Sequence, residues 1–448
     1  MRIACIHVPQ LSLQCATRLD PALRGAAVAV VGVRPDAGKA QTPQVLACSR
    51  AAFMLGIRVG MPAAAVHHAA DGIQIIHSDA QLERETIRAL ADALLTLTPV
   101  VDVGGRVGAG GAHLAMYCEV PSKTRGSSFG ERVLQQLEAF GITARIGIAD
   151  DRFTAWVAAS TNDDESIVSV PRGGSAAFLA PRPLQLLAIS PEVQHMLEAL
   201  GITTLGEFAA LPAPSVARPF EADFQALARG EGGQTLRPYA PEAPIREDVV
   251  VKNVNANANV NVNVNGGLSL SAAVATLAER VATRLTGRAR GAARLELTIT
   301  GPAGERVVPI VPIASARVRT SLEAMLVPVG NEQKLISTSE QLADAITHAL
   351  AGDDNVWRLR LTVIGEAIAG DEPVSELAES EAPGIVDTLS VVLSNTGGSL
   401  ELAFGPMSLG QPTAGVLRER REAHQRTRRT KRHRTRPNSV IQPKLFKG

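Results

Sequence analysis

The chain has 448 residues, 45% hydrophobic but only 3% aromatic, so several domains with aliphatic cores are expected. A mean hydropathy of +0.09, with no apolar run of about 18 residues, argues against a membrane span, and MRIACIHVPQ reads as a buried strand rather than a signal peptide. The formal net charge of +1 conceals an asymmetry: residues 418–448 hold 12 Lys and Arg against 2 Asp and Glu, leaving 33 against 42 elsewhere. A basic tail on an acidic body points the tail at an acidic partner.

Residues 2–8 and 26–31 read as strands. Short helices are expected around 48–55 and 63–70, then a strand at 73–76. Ser78 and Asp79 can cap a helix on which Ile87, Leu90, Leu94 and Leu97 recur at helical spacing until Pro99. A strand at 113–118, a helix near 128–140, a strand at 144–149 and a helix near 151–160 complete an α/β unit without strict βαβ alternation. Cys5, Cys15, Cys48 and Cys118 lie scattered in apolar contexts without CxxC spacing, which favours reduced core thiols over disulfides or a zinc site. His7 and Cys5 share a strand face and Cys48 is a further soft donor, but no fourth ligand with zinc spacing accompanies them.

Residues 184–230 change character: LLAISPEVQHMLEALGITTLGEFAALP is helix, glycine turn, helix. Gly201 ends the first helix, and Thr203 or Thr204 can cap the second. The spacing fits a helix-hairpin-helix whose turn amides grip a phosphate, and equally an ordinary αα-hairpin. Residues 253–266 alternate Asn with small aliphatics, as a variable linker or an edge hairpin. Around them runs a β-α-β-β-α-β order: strands at 249–252, 295–300, 306–311 and 357–364, and helices at 269–286 and 338–350. From about 371 the Gly, Ser, Pro and Glu content suggests disorder.

Several stretches resemble the Y-family DNA polymerases, and among them the catalytically silent ImuB type. IACIHVPQLSLQ (3–14) stands where the family has a strand ending in Asp-x-Asp-x-Phe. GAAVAVVG (25–32), VLACSRAAFMLGIRVGM (45–61), ARIGIADDRFTAWVAAS (144–160), LEALGITTLGEFAALP (197–212) and WRLRLTVIGE (357–366) continue the likeness over roughly residues 1–370. The resemblance implies a mixed α/β (α+β) right hand. A palm would occupy 1–170 with a fingers insertion at about 31–75, and a helix-hairpin-helix thumb 171–240. A little finger would follow at 241–370 with the Asn-rich insert 253–266, then a disordered tail at 371–448.

Nucleotidyl transfer needs two divalent ions held by hard oxygen ligands. The resemblance places the first metal-binding Asp at His7 and the hairpin's acidic pair near Gly111 and Ala112, none of which supplies a carboxylate. Asp102 is the nearest acid upstream, and one carboxylate does not make a two-metal site. The fingers' phosphate-binding Tyr and Arg fall on Arg50 and Phe53, a phosphate-contacting Lys on Arg152, and the steric-gate aromatic on Ser12. The implied protein is therefore not an enzyme and carries no cofactor; an active polymerase with rearranged ligands is the alternative.

The chain ends SVIQPKLFKG. Gln442, Leu445 and Phe446 match Q-x-x-L-F, the short motif by which bacterial polymerases bind the sliding clamp: Leu and Phe fill an apolar pocket while Gln hydrogen-bonds at its rim. The run from Gln333 to Ile336 is a second, weaker candidate. The stretch 418–436, with Arg428, Arg429, Lys431 and Arg432 at its centre, attracts phosphates in a salt-dependent way or merely solvates the tail. The ImuB likeness implies a cytoplasmic, nucleoid-associated adaptor in SOS-type mutagenic translesion synthesis. Its partners would be damaged primer-template DNA, the clamp, a RecA-like accessory protein (ImuA) and an error-prone replicative-type polymerase alpha subunit.

Overall fold

The computed structural model describes residues 1–33, 42–69, 72–107, 112–161, 165–212, 219–233, 235–241, 243–251, 267–310, 335–350 and 356–368. Within these the chain is mixed α/β, as expected, and builds three sheets and a helical segment.

The first lobe contains β1 (Ile3–Val8), α1 (Leu11–Leu19), β2 (Val28–Gly32), β3 (Gln44–Cys48), α2 (Arg50–Met54), α3 (Ala63–Ala69) and β4 (Gln74–His77). It continues through α4 (Ala80–Leu94), β5 (Val101–Val107), β6 (His113–Glu119), α5 (Gly126–Ala139), β7 (Arg145–Ala149), α6 (Arg152–Ser160) and β8 (Ile167–Ser169). Its main sheet has the order β5-β6-β1-β7-β8, antiparallel except for the β7–β8 pair. All six residues of β1 are buried, because the strand is covered on both faces. Ala4, Ile6 and Val8 join Leu90, Leu94, Phe129 and Leu137 of α4 and α5 in one core. Ile3 and Cys5 face the other way, onto Ala155, Ala158 and Ala159 of α6. A smaller sheet of order β3-β2-β4 spans residues 28–77 and closes over Val31, Val45, Ala52, Ile57 and Val66.

Three strands, β3, β5 and β8, depart from the sequence reading. Gln44–Cys48 pairs with β2, so the helix expected around 48–55 is confined to Arg50–Met54, where the Ser49 side chain accepts the Ala52 amide as its cap. Val101–Val107 is a strand that the reading missed. Its run is broken by a bulge between Asp102 and Gly105, where Gly104 sits at φ +58° and a Cβ would lie 1.9 Å from the Ala115 carbonyl oxygen. The α4 helix starts where expected, with Asp79 accepting the Gln81 and Leu82 amides, but stops at Leu94, ahead of Pro99.

A helical segment follows: α7 (Ser175–Leu179), α8 (Pro191–Ala199), α9 (Leu205–Ala209) and α10 (Pro219–Ala228). The expected helical hairpin is α8–α9, turning at Gly201 (φ +80°), with Thr204 and not Thr203 at the N-cap of α9. The last lobe contains β9 (Arg246–Val250), α11 (Leu270–Gly287), β10 (Arg290–Gly301), β11 (Gly304–Ile310), α12 (Ser339–Leu350) and β12 (Arg358–Ile368). This is the β-α-β-β-α-β order read from the sequence, with the first strand three residues earlier than 249–252. Its antiparallel sheet has the order β11-β10-β12-β9, with the two helices over a core of its own. The Asn-rich stretch 253–266 and residues 371–448 lie outside the described residues, as do Gln333 and Lys334.

The first and last lobes meet along a charged seam. Asp92 of α4 is fully buried and receives Nε of Arg284 at 2.8 Å, Nε and Nη2 of Arg288 at 3.0 and 2.9 Å, and the Tyr239 hydroxyl at 3.2 Å. Glu247 of β9 bonds Arg284 Nη1 at 2.9 Å and Arg18 of α1. The helices come this close because residue 287 is Gly: a Cβ there would stand 1.9 Å from the Asp92 carbonyl oxygen.

Candidate functional site

The C-terminal end of β1 carries His7 into the face of the sheet that α6 covers. His7 pairs with Ala115 on β6 and with Arg145 on β7. It is 5% exposed, its ring lies 5.2 Å from that of His113, and its Nδ1 has no hydrogen-bond partner. Burial, then the neighbouring His113 and Arg145, lower its pKa to about 4, so the imidazole is neutral at physiological pH. His113 is held by the Gln10 backbone N–H, which donates to its Nδ1 at 3.1 Å. Gln10 itself adopts the left-handed region (φ 47°), and its side-chain oxygen accepts the Cys48 amide at 3.1 Å, tying the β1–α1 corner to β3 and β6 together.

Asp102 stands on β5 opposite Tyr117, two positions along the sheet from the His7–Ala115 pair. It accepts Arg152 Nη1 at 2.9 Å and the amides of Gly104 and Arg237 at 2.8 and 3.0 Å. The Arg152 guanidinium also lies 4.0 Å from the Tyr117 ring centre, over its face. Asp102 and Arg152, singled out separately from the sequence as a spare acid and a phosphate contact, are therefore each other's partners.

The residue paired with His7 on β6 is Ala115; the resemblance put the acidic pair earlier, near Gly111 and Ala112. Gly111 lies outside the described residues, and the Ala112 carbonyl accepts the Leu11 amide at 2.9 Å. Residues 108–111 are Gly-Ala-Gly-Gly and offer no side-chain oxygen. A neutral imidazole, an alanine and an aspartate already committed to an arginine do not suit a hard divalent cation. Among the described residues no group of three or more His, Cys, Asp or Glu is placed to hold a metal ion. All four cysteines are free and buried, with the Cys118 thiol pushed by burial up to about 12.

Arg50 is exposed on the first turn of α2. Phe53 is 47% exposed and stacks under Arg58, 3.7 Å from the ring centre. Ser12 is buried and donates to Glu83, which also pairs with Arg106. At the α8–α9 turn every amide from Leu200 to Thr204 is already donated: Leu200, Gly201 and Ile202 to carbonyls of α8, Thr203 and Thr204 to Glu207 at 2.8 and 3.0 Å. These hydrogen bonds hold the Glu207 carboxyl below its ordinary range. A phosphate at Thr203 would have to displace Glu207, and the Gly201 amide is held by the Glu198 carbonyl. Gln442, Leu445, Phe446, Arg428, Arg429, Lys431 and Arg432 lie outside the described residues. Sequence reasoning missed His113, Arg145 and Tyr117, which only strand pairing brings beside His7 and Asp102.

Residues 6–160 match the impB/mucB/samB family, IMS. The chain is 28% identical over 218 residues to DNA polymerase IV of Dehalococcoides mccartyi, covering 47% of this chain and 53% of the relative. It is 28% identical over 152 residues to protein ImuB of Caulobacter vibrioides, covering 32% and 30%. It thus spans about half the length of the first of these relatives and less of the second. A solved ternary complex of Dbh DNA polymerase overlays with a TM-score of 0.46 at 13% identity, covering 81% of this chain and 98% of that one. The matched residues 6–160 hold the end of β1, the small sheet, the β5–β6 hairpin and α6.

Proposed function

We propose that this chain is a non-catalytic adaptor of error-prone translesion DNA synthesis. The main sheet would serve as the palm, the β3-β2-β4 unit as the fingers, residues 171–240 as the thumb and the last lobe as the little finger. The observation that carries this reading is the environment of His7: a buried neutral imidazole facing Ala115 and His113, with Asp102 engaged by Arg152. Two-metal phosphoryl chemistry requires clustered carboxylates, and this set supplies none free to ligate. The Gln442–Leu445–Phe446 motif would hold the sliding clamp. The basic run around Arg428–Arg432 would add phosphate contacts, and tethering would raise the local concentration of a partner polymerase alpha subunit and of the RecA-like ImuA. Such an adaptor would act on the nucleoid in the cytoplasm during the SOS response; among the described residues no helix is long and apolar enough to cross a membrane.

The relatives named DNA polymerase IV favour a second reading, an active polymerase with rearranged ligands. Primer extension with Mg²⁺ or Mn²⁺ separates the two. The adaptor gives no template-dependent incorporation with either ion. Incorporation that disappears in Asp102→Asn overturns the adaptor and assigns Asp102 as a ligand.

A further inference from the structure

At the turn of Gly141, where the first lobe meets the last, Arg24 and Arg280 bring guanidinium nitrogens together and Arg18 passes with its aliphatic stem. A Cβ on Gly141 would lie 2.7 Å from Nη2 of Arg24, 3.3 Å from Nη2 of Arg280 and 3.9 Å from Cγ of Arg18. Arg18 belongs to the last turn of α1 and Arg24 to the loop after it; Arg280 comes from α11 of the last lobe. Arg18 and Arg280 are 4% and 3% exposed, whereas Arg24 is exposed at the edge.

Their positive charge is under-compensated. The carboxylates acting on Arg280 are Glu247 and the exposed Glu279, and Glu247 already divides its oxygens between Arg18 and Arg284. Arg280 donates Nη2 to the Phe140 carbonyl at 3.3 Å, but its Nε and Nη1 have no hydrogen-bond partner, and neither does Nε of Arg18. Burial, then the proximity of Arg18, lower the Arg280 pKa to about 9, the sign of a cation short of a counter-charge. Buried charges with orphaned donors are costly unless something answers them. Three orphaned guanidinium nitrogens and a third guanidinium at the mouth are what a tetrahedral oxyanion satisfies.

We propose that Arg18, Arg24 and Arg280 form a binding site for a small free oxyanion of the phosphate class, which clips the last lobe to the first. The enclosure of Arg18 and Arg280 excludes the backbone of a nucleic-acid duplex, so the ligand is a small free ion, with Arg24 as its entrance. The site is independent of the adaptor reading, because none of its residues lies near His7 or in the tail.

The test is a thermal-unfolding titration of the full chain with inorganic phosphate against sodium chloride at matched ionic strength. Arg24→Ala and Arg280→Met are run beside the wild type. The expected result is a saturable rise in midpoint in the wild type, absent in Arg280→Met and shifted roughly ten-fold to higher phosphate in Arg24→Ala. The basic tail is unchanged in both variants, so a response that persists in Arg280→Met, or that is unshifted in Arg24→Ala, locates the anion on the tail and overturns the proposal. A wild-type response no larger than that to chloride also overturns it. So does a short DNA duplex in phosphate-free buffer that reproduces the Arg280-dependent rise, since the ligand would then be a backbone phosphate. Should Arg280→Met fail to fold, the Arg24→Ala titration decides alone, because Arg24 is exposed.

Discussion

Asp92 and Arg284 meet at 2.8 Å across the seam between two lobes, with 0% and 2% of their side chains in contact with solvent. The pair does not stand alone, since Arg288 shares the same carboxylate and Glu247 shares the same guanidinium. Removing one member strands the others in a dry site, which is far more costly than the pair itself is stabilising. Asp92→Ala is expected to lose roughly 3–5 kcal/mol in urea denaturation. Asp92→Leu combined with Arg284→Leu and Arg288→Met is expected to recover most of that loss. A triple variant as unstable as the single one would show that the charges, and not their pairing, hold the seam.

Glu247 gives the seam an acid limit. Burial alone would raise its carboxyl, but Arg18, Arg284 and Arg280 outweigh burial and hold it below the usual carboxylate range. A group with a depressed folded pKa stabilises the fold above its unfolded value, about 4.3, and loses that contribution as pH falls through the folded value. Stability measured at falling pH should therefore drop below about pH 4, and Glu247→Gln should flatten that part of the curve.

His7 acts in the same direction at higher pH. Its folded pKa of about 4 lies below the unfolded value near 6.5, so the unfolded chain binds more protons between the two. The stability contribution is complete above about pH 6.5 and is lost as pH falls towards 4, by on the order of 1–3 kcal/mol. His7→Asn should remove most of that slope. His113, whose pKa is also lowered by burial and by Arg145, leaves a residue of it in the variant.

The Asp102–Arg152 pair predicts an asymmetry between its two halves. Arg152 keeps about a third of its side chain in solvent, and Asp102 retains two backbone amides when the arginine is gone. Arg152→Ala should therefore cost only about 1 kcal/mol. Asp102→Ala orphans those amides together with the guanidinium and should cost roughly 2–4 kcal/mol. Chemical denaturation of both variants checks the order, and equal losses would mean that the ion pair dominates over the amides.

Clamp capture tests the tail. Pull-down of the sliding clamp by the wild-type chain should be lost in Leu445→Ala/Phe446→Ala, because the two side chains supply most of the apolar contact expected of such a motif. Retention by both proteins removes the tail from the adaptor reading.

Much of this architecture was legible where the local pattern and the burial agree. The largely apolar β1, the Asp79 cap of α4 and the β-α-β-β-α-β order of the last lobe follow from hydrophobic patterning and capping residues. The strand Val101–Val107 was not legible, because Gly104 and Gly105 read as a break and only the bulge against Ala115 makes them a strand. The pairing of His7 with Ala115 was not legible either, since strand register is set by partners far along the chain and not by the local pattern. Arg280, Arg284 and Arg288 are spaced to share one face of α11, but nothing local says that this face meets α4 and not water.

The seam also bears on how the chain is made. The first lobe's core draws its buried members from residues 4–148, so it can close while the last lobe is still unsynthesised. Arg18 then waits 229 residues for Glu247, and Asp92 waits 192 for Arg284. During that interval the nascent face exposed at the ribosome is hydrated charge. An apolar face left bare for as long would invite aggregation, whereas this one stays soluble until its counterpart emerges.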